Sequence, residues 1–336
     1  MKNHLLALIL FIVVASHAQD TKINGISFVA SRDSVSLKHT APLLQINANY
    51  AAVMPFGFIE SLDHPELVYS TDRQWYGETI KGAKQYINKL QQNDINVMLK
   101  PQIWIRKGEF TGHLAMSSEK DWKILETSYR NFILDFARLA EETNVPILCI
   151  GTELEQFIMQ RPTFWNQLIS EIKRIYSGKL TYAANWDEYT KVPFWGQLDF
   201  IGVDAYFPIS EVKTPTLQDA KNGWQKWKNE MKTVSEKHNK KILFTEYGYR
   251  NTDFAGKEPW HSGREQKSIN HDNQGTLLTA LFEEVWQEPW MAGGFLWKWF
   301  IDHEQSIYRS KQTVSISAAI LLFYLRIILP LFFHHF

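Results

Sequence analysis

The 336-residue sequence predicts an α/β protein, a (β/α)8 TIM barrel in a single domain. Short apolar runs alternate with longer amphipathic stretches, the pattern of a parallel sheet covered by helices. The runs number eight, which suits a closed barrel of roughly 250 residues better than an open sheet. Six of them finish in a polar or aromatic cluster, and in barrels the chemistry sits at the carboxyl ends of the strands.

The expected strands are 25–29, 46–53, 96–103, 147–151, 180–184, 200–205, 242–245 and 294–297. Expected helices cover 78–93, 119–143, 161–176, 217–238 and 273–286. In the second of these, Trp122, Leu125, Tyr129, Phe132, Ile133, Phe136 and Leu139 recur at helical spacing and read as a core-facing stripe. Trp224, Trp227 and Met231 do the same later and are read as packing. No internal repeat and no low-complexity linker divides the chain.

Composition narrows the function. Lys plus Arg and Asp plus Glu are equal at 36 each, which removes the electrostatic case for nucleic acid. The aromatic load is high, with 13 Trp, 13 Tyr and 21 Phe. Trp is awkward to bury completely, so part of this load is expected to line a cleft that stacks flat sugar faces. The single cysteine, Cys149, lies in an apolar run and reads as a small core residue. The 11 histidines form no metal-binding motif, and His271-Asp272 and Asp302-His303 read as loop residues. There is no G-x-G-x-x-G, phosphate loop or G-x-S-x-G. No metal and no cofactor are expected.

The two ends read differently from the barrel. Residues 1–18 carry a charged start, an apolar stretch from Leu5 to Ala15 and small residues before a cut after Ala18, the pattern of a secretory signal. A secreted or periplasmic protein, acting as a monomer, is expected. The catalytic barrel is assigned to 19–303. Residues 304–336 form an atypical apolar tail broken by Arg326 and Pro330. It reads as a short membrane anchor, a core helix or a tail foreign to the domain; membrane contact is expected only in the first case.

Two glutamates stand out. Glu153 follows Leu148–Thr152 and Glu246 follows Ile242–Thr245, each the first acidic residue after an apolar strand. These are the fourth and seventh strands. If the extended backbone persists, Cys149, Gly151 and Glu153 share one side, as do Phe244 and Glu246. Two carboxyls facing each other across a barrel mouth suit glycoside hydrolysis with retention, which uses a separation of about 5–5.5 Å. Glu155 reads as a salt-bridged rim residue.

At these residues the chain resembles clan A glycoside hydrolases, most closely family 113. The resemblance spans about residues 22–303. It rests on Met54–Phe58, Leu99-Lys100-Pro101, Ile150–Leu154, Ala183–Trp186, Asp199–Tyr206, Phe244–Gly248 and Gly294–Trp299. It implies β-1,4-mannan hydrolysis, with Glu153 as acid/base and Glu246 as nucleophile of a double displacement. Where many clan members have Asn before the acid/base, this chain has Thr152, which fits the family 113 pattern. Asn185 is then the candidate for the substrate 2-hydroxyl. Tyr206 is expected to hydrogen-bond the nucleophile, and Trp299 or Trp297 to floor the cleaved sugar. Trp104, Trp186 and Tyr247 are expected to line neighbouring subsites. Lys100 and Asp204 are expected either to bond sugar hydroxyls or to pair with each other. The partner is a β-linked polysaccharide or oligosaccharide. The alternatives are another clan A β-glycanase, a transglycosylase, or a barrel that binds glycan without cleaving it.

Overall fold

The computed structural model describes residues 22–261 and 269–301. The signal-like segment 1–18, the tail 304–336 and Asp302-His303 lie outside the described residues. Eight parallel strands close into a barrel: β1 (Ile23–Phe28), β2 (Tyr50–Val53), β3 (Asn96–Leu99), β4 (Ile147–Thr152), β5 (Lys179–Asn185), β6 (Phe200–Asp204), β7 (Lys241–Tyr247) and β8 (Met291–Trp299). Each pairs with its sequence neighbours, and β8 returns to β1 with Ile23 opposite Gly293. All eight expected strands are therefore present.

The strand sequences explain the two-layered core. Along β4, Ile147 and Cys149 belong to one buried cluster and Leu148 and Ile150 to another. The first cluster also takes Ala52, Met98, Ala183, Leu243 and Phe295, one residue from each of several strands, and fills the barrel. The second packs the outer strand faces against the helices. Those helices are α1 (Leu37–Gln45), α2 (Ile80–Gln91), α3 (Glu119–Glu142), α4 (Glu155–Gln160), α5 (Pro162–Ile175), α6 (Leu217–His238) and α7 (His271–Leu281). In α3 the expected stripe from Trp122 to Leu139 is buried throughout. Ser118 caps this helix by accepting from the Asp121 amide at 3.1 Å, and Pro162 opens α5 where its missing N–H costs nothing.

Some expected boundaries shift, each for a local reason. Residues 46–49 are not strand: Ile46 caps α1 and Asn47 turns through a left-handed φ of 54°. The run 96–103 is two strands. Pro101 has no N–H to continue a ladder, and the chain leaves the barrel there. Residues Gln102–Ile105 then join Phe56–Ile59 and Val68–Tyr69 in a small sheet made from the segments after β2 and β3. Helices α1 and α4 had no counterpart among the expected elements, both being short. His271 and Asp272 are not loop residues but open α7.

One close approach yields a test of the barrel packing. A Cβ on Gly202 of β6 would collide with the Tyr182 carbonyl oxygen and the Thr181 hydroxyl. Gly202→Ala is expected to destabilise the protein by about 1–3 kcal/mol or more, because the obstacle is backbone. Urea denaturation reads this directly; an unchanged midpoint would contradict the described packing of β5 against β6.

Candidate active site

The carboxyl ends of the strands bring Lys100, Asp204, Tyr206 and Glu246 together, with Glu153 within their electrostatic influence. Glu246 is 7% exposed, and three donors meet its carboxyl group. Its Oε1 accepts from Lys100 Nζ at 2.5 Å and Gln102 Nε2 at 3.2 Å. Its Oε2 accepts from the Tyr206 hydroxyl at 2.9 Å, the bond expected of Tyr206. Burial, then the charges of Glu246 and Asp204, hold the Tyr206 phenol well above its ordinary pKa, so it stays a donor.

Simple alternation does not deliver Glu246 to this position. Phe244 lies in the outer cluster and Leu243 in the inner one. Thr245 then faces inward to donate to Asp204 Oδ1 at 2.7 Å, and Glu246 still reaches Lys100. The β6–β7 register shifts between Phe244 and Glu246, and this irregularity turns the carboxyl inward. The expectation that Phe244 and Glu246 share a side is therefore corrected.

Glu153 is presented by a second irregularity. Register between β4 and β5 slips between Cys149 and Thr152. A Cβ on Gly151 would meet the Tyr129 hydroxyl and the rings of Trp165 and Tyr182 in the outer layer, so Gly151 does not share the side of Cys149 as expected. Glu153 itself has a left-handed φ of 50°, with its N–H bonded to the Ala183 carbonyl at 2.8 Å. Its carboxyl is driven well above the ordinary range, first by burial and then by the charges of Asp204 and Glu246, with Lys100 opposing. Glu155 pairs with Lys191 at 2.9 Å on the rim, as expected.

Lys100 and Asp204 are 0% and 1% exposed, and Lys100 Nζ lies 3.1 Å from Asp204 Oδ1. Of the two expectations for them, the buried pair holds and the role as sugar contacts is corrected, since neither presents surface to a ligand. Burial alone would depress the Lys100 ammonium; the charges of Asp204 and Glu246 more than offset it and keep it charged. Burial and the charge of Glu246 push the Asp204 carboxyl up to about 7 against the pull of Lys100.

The aromatic residues divide. Tyr247 is fully buried against Phe244, Phe282 and Trp286, so its expected subsite role is corrected: the same irregularity that turns Glu246 inward leaves Tyr247 in the helix layer. Trp299 is 3% exposed, whereas Trp297 is half-buried and packs on the barrel cluster; of the two, Trp297 keeps more exposed surface. Lys298 lies 4.9 Å from the Trp297 ring, and burial lowers its pKa while Glu246 opposes. Trp104 is half exposed on the small sheet. Trp186 is half-buried, stacked on Trp260 at 5.1 Å, and it is Trp260 that presents the exposed ring. Asn185 is half-buried at the end of β5, its Oδ1 accepting from Trp186 N–H.

Three residues of the site had no role in the sequence reading. Gln102 stands in the strand-end cluster Lys100-Pro101-Gln102, a signal that was available. Glu188 is 1% exposed; burial pushes its carboxyl up to about 7 despite bonds from the Asn185 amide and the Tyr182 hydroxyl. Its proximity to the fifth strand end was the only hint. Tyr182 looks like any core aromatic from sequence.

The comparisons bear on what this arrangement is. The model of Glycoside Hydrolase Family 113 matches residues 29–315. Among solved structures, a GH113 β-mannanase from Alicyclobacillus acidocaldarius in complex with ManMIm superposes with a TM-score of 0.78 at 21% identity, covering 90% of this chain and 96% of that one. A GH113 β-1,4-mannanase complex gives 0.75 at 20% identity, covering 90% and 98%. A Faecalibacterium prausnitzii β-glucuronidase gives 0.58 at 13%, covering 91% of this chain and 49% of that one. At these identities the structural matches speak for the barrel fold. No match is found among curated protein sequences. With the family model spanning the strands that carry both glutamates, the chain belongs to glycoside hydrolase family 113.

Proposed function

We propose that this glycoside hydrolase cleaves β-1,4-mannosidic linkages with retention, Glu246 acting as nucleophile and Glu153 as acid/base. The observation that carries this reading is the opposed environment of the two carboxyls. Glu246 accepts hydrogen bonds from three donors, the buried Lys100 ammonium among them. Glu153 is pressed by burial and by neighbouring negative charge to keep its proton. Carboxyl pairs whose surroundings differ in this way divide into base and acid.

In the first step an oxygen of Glu246 forms a bond to the anomeric carbon. The bond to the leaving oxygen breaks, and Glu153 gives that oxygen its proton. In the second step Glu153 takes a proton from water, the water oxygen bonds to the anomeric carbon, and the bond to Glu246 breaks. Lys100, Gln102 and Tyr206 fix the orientation of Glu246 throughout. Trp297 serves as the floor for the cleaved sugar, and Asn185 as the contact for its 2-hydroxyl. Trp104 and the Trp186–Trp260 stack offer ring faces for neighbouring sugars. The mannan preference follows the β-mannanases this chain is similar to. The signal-like residues 1–18 fit a substrate met outside the cell.

Hydrolysis of mannan, glucomannan, xylan and cellulose oligosaccharides tests the substrate. Release from the β-1,4-mannosyl substrates alone or predominantly supports the reading; preference for xylan or cellulose contradicts it. Acid catalysis gives a further expected result. On unactivated substrates kcat/KM should fall on the alkaline side as Glu153 loses its proton, and Glu153→Gln should remove that limb while lowering activity by about 10²–10⁴-fold. An alkaline limb that survives in the variant assigns the acid elsewhere.

A further inference from the structure

Glu153 sits on backbone that has to be held in place. A left-handed φ is unfavourable at a residue with a Cβ, so the surroundings must impose it. On one side, Ile150 O accepts from the Tyr129 hydroxyl at 2.7 Å, and Glu153 N–H reaches Ala183 O. On the other side, the very next amide, Leu154 N–H, leaves the backbone ladder and donates to the Tyr182 hydroxyl at 2.6 Å. Tyr182 donates onward to Glu188 Oε1 at 2.8 Å, and Glu188 Oε2 accepts from Asn185 N–H at 3.1 Å.

Glu188 is a buried acid that the two-step mechanism does not use. It makes no ion pair among the described residues, and burying a carboxyl without a cation is expensive. Its two bonds tie Tyr182 to the backbone of Asn185 at the end of β5, and the Tyr182 hydroxyl carries the link on to Leu154, the residue after Glu153. Tyr182 is 0% exposed, and its ring is fixed edge-on against Trp165 and Phe194, so its hydroxyl has little freedom.

We propose that Tyr182 and Glu188 form a positioning relay that fixes the backbone at Glu153 and Leu154 and thereby aims the acid/base carboxyl at the leaving oxygen. Neither residue touches substrate. The relay acts on the proton-delivery half of the reaction, while Glu246 is held separately by Lys100, Gln102 and Tyr206. This inference rests on the reading of Glu153 as acid/base.

The separation makes a signature that general loosening of the fold does not produce. Loss of acid catalysis harms substrates with poor leaving groups and spares those, such as dinitrophenyl glycosides, whose leaving group needs no proton. The test measures kcat/KM on a dinitrophenyl β-mannoside and on mannotetraose for wild type, Tyr182→Phe, Glu188→Gln and Glu153→Gln. Tyr182→Phe keeps the ring packing and removes the hydroxyl. It is expected to lose on the order of 10- to 100-fold on mannotetraose and to stay within about threefold of wild type on the aryl substrate. Glu188→Gln should show the same split, and if it does not fold, Tyr182→Phe decides. Equal losses on both substrates, or no loss, would overturn the relay. If Glu153→Gln itself shows no split, the acid/base assignment fails first, a result distinct from failure of the relay alone.

Discussion

Replacing Glu246 by alanine is expected to lower kcat by on the order of 10⁴- to 10⁶-fold, the scale on which loss of a covalent nucleophile acts. The effect should be on kcat far more than on binding. The half-buried Trp297 and the exposed faces of Trp104 and Trp260 are untouched by the change, so oligosaccharide should still bind. Binding measured by calorimetry alongside turnover separates the two. Azide should partly restore turnover of an activated mannoside by attacking where the carboxylate did, giving the product of opposite anomeric configuration. Turnover of the variant near wild type would remove Glu246 from the reaction. The alanine change also strands three donors: Lys100, Gln102 and Tyr206 all spend a hydrogen bond on Glu246. Glu246→Gln retains the shape and is the control for that loss.

The second large effect concerns stability. Lys100 is the cation that buried Asp204 and Glu246 share. Lys100→Met keeps the bulk of the side chain and deletes the charge, leaving two acidic groups in a site that is 1% and 7% exposed. Breaking one side of a buried ion pair typically costs about 3–5 kcal/mol, and that loss is expected here by chemical denaturation. Its pH dependence has a defined sign. The Asp204 carboxyl is pushed from its ordinary 3.8 up to about 7 in the fold. Its contribution to stability is therefore complete below about pH 4 and lost as pH rises through 7. Without Lys100 the Asp204 carboxyl is pushed higher still and its loss continues beyond pH 7, so the deficit of the variant should be smallest at acidic pH and widen as pH rises above about 7. A deficit that shrinks toward alkaline pH would contradict the described charge network.

Much of this protein was legible in its sequence because period-two strands and 3.6-period helices leave different marks. The run Ile147–Thr152 and the stripe from Trp122 to Leu139 are of that kind, and both hold in the structure. What the pattern could not convey is the interruption of the pattern. Alternation carried past Phe244 sends Glu246 to the wrong face and Tyr247 toward the cleft; a local register shift does the reverse. The same holds at Gly151 and Glu153, where a slip in the ladder and a left-handed residue replace extended backbone. Such irregularities lie at the mouth because the site needs side chains aimed where a regular strand would not send them. Lys100 and Asp204 illustrate another limit. Their position at strand ends was readable, but whether they meet a sugar or each other depends on contacts across more than a hundred residues of chain. The pairing of Tyr182 with Glu188 was hidden for the same reason, since its meaning lies in the bond from the Leu154 amide to the Tyr182 hydroxyl.

The most direct test of the central claim is to trap the intermediate. A 2-deoxy-2-fluoro-β-mannoside with a dinitrophenolate leaving group should inactivate the enzyme, because fluorine slows both steps while the good leaving group restores only the first, so the glycosyl-enzyme accumulates. Peptide mass spectrometry of the inactivated protein is predicted to place one fluoromannosyl group on Glu246 and none on Glu153. A label on any other residue, or catalysis that yields the inverted anomer without a trapped species, would contradict the account.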